Sequence, residues 1–248
     1  MSATSSLPWR SAIGRGAVYA FLARALAYPD ATRRAALDAE ILPVLRGLRP
    51  VDEAVAASLT TALEATAVPL EILRRAYGEL FPPVGSSDCA AYEAPYRTRD
   101  LFQETEILAD IAGFYRAHGL AVGGREHERP DHIAVELEFM AVVARKEAHA
   151  LAELGRGQVE VCRGTQDAFL RDHLGAWGCT FGERLQRLTA HPFYRATGAL
   201  LAIWLASDMA ARRITPSEPV GEPPPALTRD EIDAEAENPA CPLEGVRL

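Results

Sequence analysis

The sequence predicts an all-α protein, a single compact helical bundle followed by an irregular, acidic, proline-rich C-terminal tail. Two observations carry this reading. Apolar residues recur every three to four positions through most of the 248 residues, the spacing of helices with one buried face. No run alternates β-branched with polar residues as a half-buried strand would. At 48% hydrophobic and 24% charged residues, the chain also has the composition needed to bury a substantial core.

Taken in order, Ala17, Phe21, Ala25 and Tyr28, with Val18 and Leu22 beside them, form one face of a first helix that Pro29 stops. A second and third helix are placed over residues 32–46 and 52–67. Pro69 sits where a first helical turn tolerates proline. Ile72, Leu73, Tyr77, Leu80 and Phe81 then make an apolar stripe ended by Pro82 and Pro83. Residues 84–98 (VGSSDCAAYEAPYRT) lack periodicity but carry aromatic anchors, which predicts an ordered, packed loop.

A long helix follows over residues 101–118, with Gly119 at its boundary and a polar surface loop over residues 123–128. Pro130 marks the next start. From residue 131 to about residue 154, Ile133, Leu137, Met140, Val143, Ala144, Ala148 and Leu151 give a broad apolar surface, as in a central helix packed on several sides. Two more helices are placed over residues 158–174 and 176–188. Residues 193–212 are apolar around most of the circumference and predict a buried helix.

After that helix the composition changes: Pro216, Pro219, Pro223, Pro224 and Pro225 stand among acidic residues that run to Glu237. Residues 214–248 have too little apolar area to fold alone, so residues 1–213 form the expected helical domain and residues 214–248 an extended or disordered tail.

Several function classes are disfavoured by composition. The apolar stretches are interrupted well before the roughly 18 residues of a membrane span, and the first ten residues lack a cationic segment leading into an apolar run. Cys89, Cys162, Cys179 and Cys241 are scattered without a Cys-x-x-Cys pair, arguing against a zinc ribbon or a disulfide framework. A cytoplasmic protein with no integral membrane association is expected. A net charge of -8 argues against nucleic acid as a partner.

Enzyme motifs fail on spacing. A di-iron bundle needs a carboxylate three residues before a histidine, but the residues at that offset are Tyr115, Gly124, Arg129, Lys146, Leu170 and Leu188. Phosphate-binding loops, dinucleotide fingerprints and Gly-x-Ser-x-Gly elbows are missing as well. No cofactor is expected.

Two clusters remain. The first is the aromatic helix end at Tyr77, Leu80 and Phe81, followed by Tyr92, Glu93 and Tyr96. As core aromatics with a proline stop it is unremarkable; as a groove lined by aromatics with an acid at its edge it suits an apolar peptide carrying arginines. The second is Glu128-Arg129-Pro130-Asp131-His132, opening the central helix that contains Glu136. Asp131 either caps that helix, pairs with a guanidinium, or does both, and His132 adjusts the local charge near neutral pH.

These clusters and the helices around them resemble the TorD/DmsD/NarJ family of redox-enzyme maturation chaperones. The likeness covers roughly residues 17–212 and rests on an aromatic-x-x-Leu-Phe element at Tyr77, Leu80 and Phe81 and a Glu-x-x-Asp-His element at Glu128, Asp131 and His132. LFQETEILADIAGFYRAHGL and HIAVELEFMAVVARKEAHAL look like the family's two central helices. YEAPYR and DHLGAWGCTFGERL look closest to the chaperones of dimethyl-sulfide, ethylbenzene, chlorate and selenate type molybdenum enzymes. Family members often have proline directly after the motif's glutamate, whereas this chain has Arg129 there and Pro130 one place on.

The resemblance implies a TorD-like all-α bundle without catalytic turnover. It would bind the catalytic subunit of a molybdenum oxidoreductase, or its twin-arginine leader, and assist molybdopterin insertion, as a monomer or homodimer. The expected client-binding residues are Tyr77, Leu80, Phe81, Tyr92, Glu93, Tyr96, Pro130, Asp131, His132 and Glu136. Glu93, Asp131 and Glu136 are expected to meet arginines of the client, with a dissociation constant around micromolar, about 8 kcal/mol. On this reading Asp131→Asn weakens client binding without unfolding the domain. The alternatives are a small helical metalloenzyme using His132, Glu136 and Glu93, or a structural subunit of the mature complex.

Overall fold

The computed structural model describes residues 8–48, 52–82, 89–121, 128–218 and 220. Among these residues the chain is helical throughout, with one isolated antiparallel bridge between Tyr92 and His132 and no strand. The helices are α1 (Pro8–Leu26), α2 (Ala31–Ala36), α3 (Leu42–Gly47), α4 (Glu53–Glu64), α5 (Leu70–Leu80), α6 (Ala94–Arg97) and α7 (Leu101–Ala117). Then come α8 (Ile133–His149), α9 (Arg156–Asp172), α10 (Leu174–Leu188) and α11 (Pro192–Arg212).

Two helices of the bundle widen into a π turn. The helix expected over residues 32–46 is divided by a π-helical segment at Leu37–Ile41. Pro43, in the first turn of α3, has no N–H for the carbonyl four residues before it, so the regular ladder cannot run through. A second π segment, Ala150–Leu154, ends α8 and closes on Gly155, whose φ of 90° lies in the region that favours glycine; its N–H donates to the Ala150 carbonyl at 3.0 Å. Asp30, Asp52 and Asp100 cap α2, α4 and α7 by accepting backbone N–H groups.

The bundle is organised by α1 lying along α8 and by α10 against α11, with α4 on α11 and α9 bridging α8 and α10. Tyr19, Phe21, Phe169, Trp177, Phe181 and Tyr194 are fully buried in one core. The α10–α11 crossing depends on two facing glycines: a Cβ on Gly182 would lie 2.7 Å from the Gly198 carbonyl oxygen, and one on Gly198 2.6 Å from that of Gly182. Any side chain there would push the two backbones apart.

Charge is buried as well as apolar surface. Tyr19 donates to Asp208 at 2.7 Å, and Arg15 pairs with Asp208 at 3.2 Å and Glu147 at 3.1 Å. Glu147 also accepts from Arg163 at 2.7 Å and Gln166 at 3.0 Å, while Arg212 reaches Asp208 and Asp167. This network fastens α1, α8, α9 and α11 together. The sequence reading missed it because it joins residues that stand far apart in the chain.

Of the expected tail, residues 214–218 and 220 are described. They turn back over α9 and α10: Ser217 N–H donates to the Arg171 carbonyl at 2.9 Å, Val220 N–H to that of Ala176 at 3.3 Å, and Glu218 pairs with Arg97 at 3.4 Å. The rest of the tail, Pro83 and the loop expected over residues 123–128 up to residue 127 lie outside the described residues. Among the described residues no helix is long and apolar enough to cross a membrane.

Candidate functional site

The loop over residues 89–98 and the start of α8 are joined by backbone. Ile133 N–H donates to the Ala91 carbonyl at 2.8 Å and Glu93 N–H to the Asp131 carbonyl at 2.9 Å, on either side of the Tyr92–His132 bridge. The bridge lays the Tyr92 ring edge-on against His132, with centroids 5.1 Å apart. A short helix, α6, follows at once, a feature the aperiodic sequence did not disclose.

Side chains lock this junction from within. The Asp131 carboxylate accepts both Nε and an NH2 group of Arg129 at 2.9 Å, and the Ala94 N–H at 3.2 Å. Arg129 continues to Glu104 on α7 at 2.7 Å and lies over the Tyr92 ring, 5.1 Å from its centroid. The Tyr92 hydroxyl donates to Glu128 at 3.1 Å, and burial, followed by the Glu128 charge, pushes its pKa up to about 12. Tyr115 of α7 donates to the Pro130 carbonyl at 2.8 Å.

The cap of α8 is His132, not Asp131: its Nδ1 accepts the Ala134 N–H at 3.1 Å. Capping by an unprotonated nitrogen requires a neutral ring, and burial lowers the His132 pKa from its ordinary value. His132 therefore does not supply the charge near neutral pH expected from sequence.

Beneath the junction lies a second buried set. Glu93 receives Arg97 at 2.5 Å and His173 Nδ1 at 3.3 Å, and His173 Nε2 meets Asp110 at 3.1 Å. Glu136 accepts the Trp177 indole N–H at 3.2 Å. Burial, then the neighbouring Glu93 charge, raises the Glu136 pKa well above the ordinary carboxyl range.

The structure links the helix-end half of the first cluster to its Tyr92–Tyr96 half through two aromatics that the sequence reading had not assigned to the site, Phe181 and Trp177. Tyr77 contacts Phe81, Phe81 stacks on Phe181, Phe181 meets Trp177, and Trp177 meets Tyr96, with centroids 4.9, 6.4, 5.6 and 5.1 Å apart in that order. The lining differs from expectation. Glu93, Asp131 and Glu136 are each 0% exposed and already hold internal partners, so they do not stand at a groove edge to receive arginines. Tyr77, Tyr96 and His132 are buried too, whereas Leu80, Phe81, Tyr92 and Pro130 are partly open.

Leu101 and Phe102, three and two residues before Glu104, are 76% and 83% exposed. The sequence signal for them was their place directly after the Asp100 cap. His132, Glu136 and Glu93 do not form a metal centre: among the described residues no group of three or more His, Cys, Asp or Glu side chains is placed to hold an ion.

These internal contacts change what Asp131→Asn does. Asparagine keeps an acceptor for Ala94 but gives up the charged fork to Arg129, which is itself partly exposed. The expected cost is about 1–2 kcal/mol in urea unfolding. An unchanged unfolding midpoint would mean that the Arg129 fork does not hold the junction.

Residues 48–182 match the family model described as nitrate reductase delta subunit, just over half of the chain. The chain belongs to this family. Within it, the chain is 35% identical over 105 residues to the chlorate reductase assembly chaperone protein of Ideonella dechloratans, covering 41% of this chain and 51% of that one. It is 34% identical over 102 residues to the selenate reductase assembly chaperone protein of Thauera selenatis, with the same coverage of each. With the chaperone protein TorD of Vibrio vulnificus (strain YJ016) it shares 23% identity over 163 residues, 65% of this chain and 73% of the relative. The chain spans about half the length of the first two relatives. The delta-subunit match takes in α4 to α9 and most of α10, and with them both halves of the junction.

Proposed function

We propose that the chain is a system-specific cytoplasmic chaperone without catalytic turnover. It binds the apo catalytic subunit of a molybdopterin oxidoreductase, or its twin-arginine leader, and assists cofactor insertion and assembly before folding or export. The observation that carries this reading is the Tyr92–His132 junction, where the Tyr92–Tyr96 part of the first cluster is locked to the Glu128–His132 cluster beside partly open apolar side chains. Leu80, Phe81, Tyr92 and Pro130, with Leu101 and Phe102, present apolar surface to a client. Tyr77, Tyr96, Glu93, Asp131, His132 and Glu136 hold that surface in shape from below.

Such a surface fits an apolar client segment, and a micromolar dissociation constant lets the finished enzyme leave. The test is a pull-down with tagged chain from cells expressing the reductase, followed by mass spectrometry and molybdenum analysis. Recovery of a cofactor-free catalytic subunit is the expected result. Recovery only with the active, cofactor-loaded complex would make the chain a structural subunit instead.

A further inference from the structure

Two carboxyl groups meet in the interior directly under the proposed client-facing turn. Glu93 precedes α6 and Glu136 lies in the first turn of α8; both are 0% exposed. Their surroundings are unequal. Glu93 has nitrogen partners on two elements, Arg97 of α6 and His173 before α10. Glu136 has one donor, the Trp177 indole, on one oxygen, and among the described residues its buried Oε1 has no hydrogen-bond donor.

A buried oxygen without a donor is costly as a carboxylate but not as an acid hydroxyl, which can itself donate to Glu93. Burial and the Glu93 charge favour the same assignment, the proton resting on Glu136. The other ionisable groups around the pair are Asp131 and Glu138 from the start of α8, Asp110 and Tyr115 of α7, and Arg129 across Asp131. The acids among them add negative potential, and Tyr115 is itself held neutral chiefly by burial.

We infer that Glu136 and Glu93 share one proton, and that this proton latches the Ala91–Arg97 turn onto α8 and so sets the shape of the client-facing surface. Loss of the proton leaves two adjacent buried carboxylates. The turn that carries Glu93 meets the start of α8 through the Ala91 and Glu93 backbone bonds, the Ala94 bond to Asp131 and the Tyr92–His132 ring contact, so repulsion between the two carboxylates acts directly on these contacts. The latch is firmest at low pH, where Glu136 keeps its proton, and weakens as pH rises through the raised pKa of Glu136. Resting on the chaperone reading, this makes client release easier as pH rises.

Hydrogen exchange on the free chain tests the latch without a client. As pH is raised through the Glu136 transition, the protection of the Glu93, Ala94 and Ile133 amides, corrected for intrinsic exchange, should fall on the order of tenfold or more in the wild type. In Glu136→Gln it should stay level, because the amide donates to Glu93 and accepts from Trp177 without titrating. Trp177→Phe removes the one donor to ionised Glu136, so its loss of protection should move to higher pH. Equal pH dependence in wild type and Glu136→Gln overturns the latch. If Glu136→Gln does not fold, an unshifted profile in Trp177→Phe overturns it. The pull-down judges the client reading separately: a titrating latch with no client captured leaves the latch standing and removes the chaperone.

Discussion

Replacing Asp208 with alanine is expected to lower the stability of the chain by about 3–5 kcal/mol, because it removes a buried charge shared by a buried hydroxyl and two largely buried guanidiniums. Asp208 accepts from the fully buried Tyr19 hydroxyl and pairs with Arg15 and Arg212, whose side chains are 19% and 11% exposed. The Tyr19 hydroxyl loses its acceptor, while Arg15 keeps Glu147 and Arg212 keeps Asp167 with part of their charge no longer offset. In thermal unfolding followed by circular dichroism this amounts to a fall in Tm of roughly 10 °C or more. Asp208→Asn keeps an acceptor for Tyr19 and should lie between wild type and alanine. A loss below about 1 kcal/mol would mean that the network contributes no more than a surface ion pair.

Phe102→Ser is expected to weaken capture of the client at least about tenfold while leaving Tm unchanged. At 83% exposure Phe102 makes almost no contribution to the folded core, so folding does not account for a large aromatic at this place. It follows the Asp100 cap at the open start of α7, the helix whose Glu104 holds Arg129 against Tyr92. Titrating immobilised client with wild type and variant compares the two affinities directly. Tyr92→Phe, which loses only the hydrogen bond to Glu128, should do less. Equal capture by wild type and Phe102→Ser would remove α7 from the client-facing surface.

Helix existence and order were legible because they depend on local periodicity and on prolines. The α5 stripe illustrates both the strength and the limit: Leu73 and Tyr77 are buried as their spacing implies, but Ile72 beside them is 51% exposed. The division of the second helix was not legible, since Pro43 broke a ladder whose apolar pattern continued on both sides.

Within the site, sequence located the residues and misassigned several of their tasks. Asp131 fitted the cap position by type and place, yet a histidine nitrogen one residue on makes the cap and frees Asp131 for Arg129. Glu93 and Glu136 were read as surface acids because sequence carries no record of the partners that cover them. His173 and Trp177 arrive from a helix junction about forty residues further along than Glu136. Arg15 and Glu147 likewise offered no local sign that they meet across the bundle.

The measurement that bears most directly on the chaperone reading is the molybdopterin content of the reductase catalytic subunit, purified from otherwise identical cells with and without this chain. The subunit made without it should be recovered largely empty of cofactor, and supplying the chain should restore loading. Full cofactor content in its absence would contradict the proposed function.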